Sequence, residues 1–472
     1  MPDLELDDVQ GLIARGYGEL KAASYVLLRV VDPGSARGWL ASLVGDRQVT
    51  PANVRGSPTA LNVAFSAPGL AALGLPADAL AAFPSELRTG MTTAHRRRML
   101  GDVDESAPER WLWGGPSTPT VDLLLLVFAQ DAASLAEYSG SLSAGFARGG
   151  VAEIARLDAT IDLDGKEHFG FADGISQPTV RGLSSRVDRP SNTVQPGEFI
   201  LGYLNEYGRY TERPLLEPGA DPGNLLPLDA AGSGKRDLAR NGSYLVFRHL
   251  AQDVRGFWQF VERATRRADG SSDPARRTWL AAKMVGRWPS GAPLTLSPDV
   301  DDASLAGRND FAYHRDDAFG LRCPIASHVR RAHPRDSLDP APGTDRSVAV
   351  NKRHRLLRRG REYGLPVDDP LAAEPREAEE ERGLYFIALA GNIARQFEFV
   401  HHTWLNSPTF DGLYDEPDPV VGPRVGGTTF SVPADPVRLR YTGLPRFVTV
   451  RGGGYFFLPG LRALRYLTSR ES

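Results

Sequence analysis

A single cysteine, Cys323, stands in 472 residues, which excludes an internal disulfide and any zinc or iron–sulfur centre built from several thiolates. A surplus of one charge sign is missing as well: 55 basic residues face 58 acidic ones, for a formal net charge of −3. That near balance leaves no electrostatic footprint for nucleic acid or an anionic membrane. Long apolar runs are absent too. A run such as LLLLVFA at 123–129, as long as any in the chain, has the length of a strand and falls far short of a membrane span. The opening residues are acidic, without a basic region leading into an apolar stretch. No signal peptide, twin-arginine leader or lipidation signal is read there, and a cytoplasmic location follows as the default. Also missing are C-x-x-C-H, H-E-x-x-H, phosphate-loop and G-x-S-x-G patterns.

What the chain does hold is ample apolar material, 41% of residues against 24% charged, enough for a core and a buried pocket. Its length predicts more than one domain. The stretch 25–44 reads as strand, turn and helix, and 244–261 repeats that plan, with Phe257, Phe260 and Val261 at helical spacing. Each half then offers a second strand–helix unit, at 121–142 and at 383–404. This predicts an α+β fold built twice, with antiparallel sheets and packed helices; one large irregular α/β domain is the alternative. The small, polar stretch 228–243 reads as a linker, dividing the chain into 1–235 and 236–472. The region 334–381, rich in proline and charge, predicts long functional loops, and the run at 374–382 a solvated face.

Within HFGFADGISQP, at 168–178, Asp173 lies among aromatics and between tight-turn glycines. Such an acid is either a turn residue bonding its own backbone or a group with a perturbed pKa. His328 sits in RCPIASHVRRAHPRDS, where Pro324 can open a helix that puts Ile325 and His328 on one face. An imidazole on an apolar face followed by Arg330, Arg331 and Arg335 is what a haem pocket needs, an axial nitrogen and cations for two propionates; a structural or surface histidine is the plainer reading. In NKRHRLLRRGREYG, Leu356 and Leu357 imply a packed segment that turns Arg358 or Arg359 inward, toward an anion. Cys323 fits a buried structural thiol better than a haem ligand.

Together these segments resemble the dye-decolourising peroxidases. The family's G-x-x-D-G signature with a later proline is matched by Gly170, Asp173, Gly174 and Pro178. Its C-P-x-x-x-H pattern is matched by Cys323, Pro324 and His328, and its R-x-[GNS]-x-x-[YF]-G pattern by Arg358, Gly360, Tyr363 and Gly364. The opening GLIARGYGELKAASYVLLRV and the late NIARQFEFVHHTW look like the longer bacterial and cyanobacterial members, so the likeness spans nearly the whole chain.

The resemblance implies two ferredoxin-like domains, with non-covalent haem b in the C-terminal one. It implies hydrogen peroxide as oxidant, and aromatic dyes and phenols as one-electron donors. His328 would bind the iron. Asp173 would be the base that moves a peroxide proton, ionised at mildly acidic pH, and Arg358 would stabilise the departing oxygen. If the register slips by one, Arg359 takes that place. Ile175, Ser176 and Gln177 would line the haem edge, and Arg330 and Arg335 would meet the propionates. Glu398, framed by Phe397 and Phe399, would hydrogen-bond the proximal histidine. Gly360, where many smaller members carry asparagine, would leave the distal pocket more open. A haem-handling protein with incidental peroxidase activity is the alternative function, and a haem-free binding protein a third. Retention of Asp173 and Arg358 favours the enzyme, because haem carriage needs neither.

Overall fold

The computed structural model describes residues 3–159, 163–183, 189–372, 380–424 and 428–469. Two strand–helix units build its first half: β1 (Ala22–Val30) with α1 (Pro33–Gly45), then β2 (Thr59–Phe65), then β3 (Leu123–Ala129) with α2 (Ala132–Ser143), and last β4 (Val151–Ala159). Each helix starts where an aspartate can cap it. Asp32 accepts from Ser35 N at 2.7 Å, and Asp131 from Ser134 N at 2.8 Å. All four strands pair antiparallel in the order β4-β1-β3-β2.

The second half repeats this with β5 (Ser243–Gln252), α3 (Val254–Thr265), α4 (Pro274–Val285), α5 (His328–Ala332), β6 (Leu357–Arg358), β7 (Arg361–Tyr363), β8 (Gly383–Ala390), β9 (Val448–Leu458) and α6 (Leu461–Ser469). Its order is β6-β8-β5-β9, with β7 also on β8. Counting β6 and β7 as one interrupted strand, both halves run fourth-first-third-second, the ferredoxin-like arrangement expected of a doubled α+β unit. The two sheets are not separate. Phe457 of β9 pairs with Phe65 of β2, fusing them into one sheet of nine strands.

This sheet is buried on both faces, which explains the unbroken LLLLVFA run. Leu123, Leu125 and Val127 of β3 enter one core, while Leu124, Leu126 and Phe128 enter the core that holds Tyr17, Tyr25 and Phe247. The stretch 228–243 is no loose tether. Asp229 and Asp237 both pair with the buried Arg213, and Leu238 and Ala239 are fully buried. Of the charged run at 374–382, residues 374–379 lie outside the described residues. No described helix is long and apolar enough to cross a membrane.

Candidate active site

The Asp173 turn is held from behind by apolar anchors. Phe169 and Phe171 are buried, with ring centroids 4.7 Å from Phe257 and 6.4 Å from Trp258 respectively. Gly170 and Gly174 have φ of +94° and +76°, the left-handed region that favours glycine. Glu167 ties the turn together by accepting from Phe169 N at 2.9 Å, Phe171 N at 3.0 Å and Gln252 Nε2 at 2.8 Å. Burial pushes the Glu167 carboxyl up to about 7, against the pull of those donors.

Asp173, by contrast, keeps a side chain 44% exposed while protein surrounds it, as for a group on a cavity wall. Its Oδ1 accepts from Arg358 Nη2 at 3.0 Å. Burial raises its pKa, but Arg358, the Gly174 N–H and the nearby His328 outweigh burial and hold it below the usual carboxylate range.

Arg358 is placed by its backbone. Gln177 grips the residue's backbone at both its N–H and its C=O: Arg358 N donates to Gln177 Oε1 at 3.1 Å, and Gln177 Nε2 donates to Arg358 O at 3.2 Å. The ambiguity with Arg359 resolves by strand alternation. Arg359 turns away and donates to Leu12 O at 2.7 Å and Ile13 O at 2.9 Å. Gly360 does not open the pocket as expected, because a Cβ there would meet Tyr385 O of the neighbouring strand at 2.4 Å. The missing side chain serves close strand packing.

The helix carrying His328 begins at that residue rather than at Pro324. His328 Nδ1 donates to Asp418 Oδ2 at 2.9 Å, while Asp418 Oδ1 accepts from Val420 N and Val421 N, both at 2.9 Å. With Nδ1 carrying the proton, Nε2 keeps its lone pair for a ligand. Burial lowers the His328 pKa, but Asp418 more than restores it, for a net rise; Asp418, though buried, is held below its usual range, His328 being its leading partner. Arg331 fastens the same loop by donating to Trp404 O at 2.7 Å and Glu416 O at 2.7 Å.

Two expectations are corrected here. Glu398 is not the partner of His328: it accepts from Arg96 Nε at 2.8 Å and from Tyr455 OH at 2.9 Å, a buried cluster of its own. Arg330 is not free for a propionate. Two positions past His328 it points to the far side of the helix, where Nη1 donates to Asp317 Oδ2 at 3.2 Å and Cys323 O at 2.8 Å. Cys323 beneath it is fully buried, and burial raises its thiol pKa.

Arg335 belongs to a different group. It donates to Asn309 O and Phe311 O, both at 3.0 Å, and to Asn309 Oδ1. Arg287, itself buried, donates to the same Asn309 Oδ1 at 3.2 Å and to Ser176 Oγ at 3.3 Å. Neither guanidinium has a carboxylate within ion-pair distance among the described residues. Two such cations call for an anionic group. The carboxylates of haem would meet that need, and His328 Nε2 would supply a nitrogen for its iron, so the residues fit the cofactor. Ile175 and Gln177, with Gly174 and Asn309, line an adjoining cavity of about 680 Å³. Sequence reading missed Asp418, Arg287 and Asn309. The acid–proline pair at 418–419 before two valines was the only local hint of the first.

No family model matches the chain. Peroxidase 2 of Mycetinis scorodonius is 30% identical over 496 residues, covering 98% of this chain and 87% of that protein. A multifunctional dye peroxidase of Amycolatopsis sp. is 30% identical over 428 residues, covering 86% of this chain and 82% of that one. Among solved structures, a DyP-type peroxidase from Auricularia auricula-judae superposes with a TM-score of 0.79 at 26% identity, covering 99% of this chain and 100% of that one. A dye-decolorizing peroxidase in complex with 2,6-dimethoxyphenol gives a TM-score of 0.77 at 26% identity, with the same coverage.

Proposed function

The chain belongs to the dye-decolourising peroxidases, and from that premise we propose that it binds haem b without a covalent link and oxidises phenols and aromatic dyes, with Asp173 and Arg358 as its peroxide-handling pair. The observation that carries this reading is the 3.0 Å contact between the Arg358 guanidinium and an Asp173 carboxylate that stays accessible. A protein that merely carries haem needs neither group.

When bound, haem supplies the iron at which the peroxide O–O bond is broken and the oxidising equivalents that donors then consume. His328, oriented by Asp418, would bind its iron, and Arg335 and Arg287, gathered at Asn309 and Ser176, would meet its carboxylates. Asp173 removes the proton from the nearer peroxide oxygen and returns it to the farther one, so that this oxygen leaves as water. Arg358 donates to the departing oxygen as negative charge gathers there, a donor fixed in advance by Gln177. Because Arg358 keeps Asp173 ionised, the base works at mildly acidic pH.

Stopped-flow absorbance of the haem-loaded protein with stoichiometric peroxide tests this. Asp173→Asn should slow the peroxide reaction by roughly 100-fold or more, the scale of a lost general base. Arg358→Leu should move the acid limb of the rate profile to higher pH, since the cation that lowers the Asp173 pKa is gone. Equal rates for wild type and Asp173→Asn would remove Asp173 from its role. A wild type that binds haem and ignores peroxide would return the haem-handling reading.

A further inference from the structure

A second cavity, of about 370 Å³, opens on the surface beside the His328 helix and takes no part in the site above. Its mouth is aromatic: Phe319 and Tyr414 are 81% and 83% exposed, unusual for rings of that size without a binding partner. Its rim carries Arg438 and Arg440. Among the described residues Arg438 meets no acid, and Arg440 has only Thr429 Oγ1, at 3.3 Å. Its floor is polar. Glu416 is buried and fixed through Oε2, which accepts from Ser431 N at 2.9 Å. Ser431 is 5% exposed, and its Oγ has no hydrogen-bond partner.

These features select one kind of ligand. Two exposed aromatic rings at the mouth and a volume suited to one or two rings ask for a flat aromatic body. Two unneutralised guanidiniums at the rim ask for an acid group at its outer end. A carboxylate and an idle hydroxyl at the floor repel an anion but suit a hydroxyl at the inner end. We infer that this cavity is a binding site for hydroxylated aromatic acids, with the acid group on Arg438 and Arg440 and the hydroxyl against Glu416 and Ser431. The inference rests on the peroxidase reading in one respect, that such compounds are electron donors. Its lining comes from the segments that carry His328 and Asp418: Ile325 is three residues before His328, and Glu416 is two before Asp418.

Equilibrium dialysis of the haem-loaded protein with 4-hydroxycinnamate and with its methyl ester tests the site directly. The acid should bind the wild type more tightly than the ester. The double variant Arg438→Ala/Arg440→Ala should weaken the acid about tenfold, the effect of a partly exposed charge-assisted contact, and leave the ester little changed. Ala434→Trp, a surface change in the cavity wall, should block both compounds. Acid and ester binding equally, or a double variant that binds the acid as the wild type does, would overturn the proposal. Arginine-dependent binding in a haem-loaded protein that ignores peroxide would uphold the site and sink the peroxidase reading instead.

Discussion

Asp418→Asn separates the two tasks that the buried aspartate performs. One oxygen accepts from Val420 N and Val421 N and shapes the loop; the other accepts from His328 Nδ1 at 2.9 Å. Asparagine can keep its oxygen on the two amides, so the loop survives. Its NH₂ then faces Nδ1, where two donors meet, and the imidazole proton moves to Nε2, the nitrogen that must be bare to bind iron. Restoring the productive tautomer forfeits a hydrogen bond to a charged acceptor, about 1.5–3 kcal/mol. That is roughly 10- to 150-fold in an equilibrium constant, in the range known for partners of metal-binding histidines. The assay is a Soret titration of haem-free protein, with thermal melts of the same samples. The expected result is weaker haem binding with a melt close to wild type. Haem bound by Asp418→Asn as tightly as by the wild type, with the same histidine-ligated spectrum, would refute the assignment. Asp418→Ala should be worse in both assays, since it also strands two buried amides at about 1–3 kcal/mol each.

Gln177→Leu should slow the peroxide reaction and lower stability by about 2 kcal/mol, because it removes both hydrogen bonds to the Arg358 backbone; an unchanged peroxide rate would show that Arg358 needs no such grip. Glu167→Gln should alter the pH dependence of folding. The unfolded carboxyl ionises near 4.5 while the folded one holds its proton to about 7, so wild-type stability should fall as pH rises through that window, by at most about 3 kcal/mol, and be undiminished below it. Denaturant titrations at pH 4.5 and 7.5 check this, and a variant with the same slope as the wild type would exclude Glu167 as the source. Gly360→Ala, which drives a Cβ against Tyr385 O, should cost about 1–3 kcal/mol of overpacking, read as a lowered melting temperature; a neutral substitution would mean that the strand gives way freely.

Which of these groups could be read from the sequence depended on the distance over which each contact is made. Asp173 announced itself because its constraints are local: two positive-φ glycines and two anchoring phenylalanines lie within four residues of it. The doubled strand–helix rhythm was legible for the same reason, since a strand, its capping aspartate and the next helix are neighbours in the chain. Arg358 and Arg359 were indistinguishable until strand alternation set one toward Asp173 and the other toward Leu12. The choice of Glu398 failed differently. Aromatic neighbours on a helical segment mark a buried face, but several partners can satisfy a buried carboxylate, and here Arg96, from the other half of the chain, does so. Nothing near His328 points to Asp418, 90 residues away on a proline-bounded loop.

Arg330 and Arg335 show why nearness in sequence is a poor guide to a shared ligand. The nearer one is carried by the helix to the opposite side, against Asp317. The farther one follows the helix end, with φ of +58°, and its guanidinium shares Asn309 Oδ1 with Arg287. Gathering two cations on one asparagine, with no acid paired to either among the described residues, fits an anion that comes from outside the chain. The strongest sign of the cofactor is therefore this missing partner, more than any motif, and only the folded chain displays it.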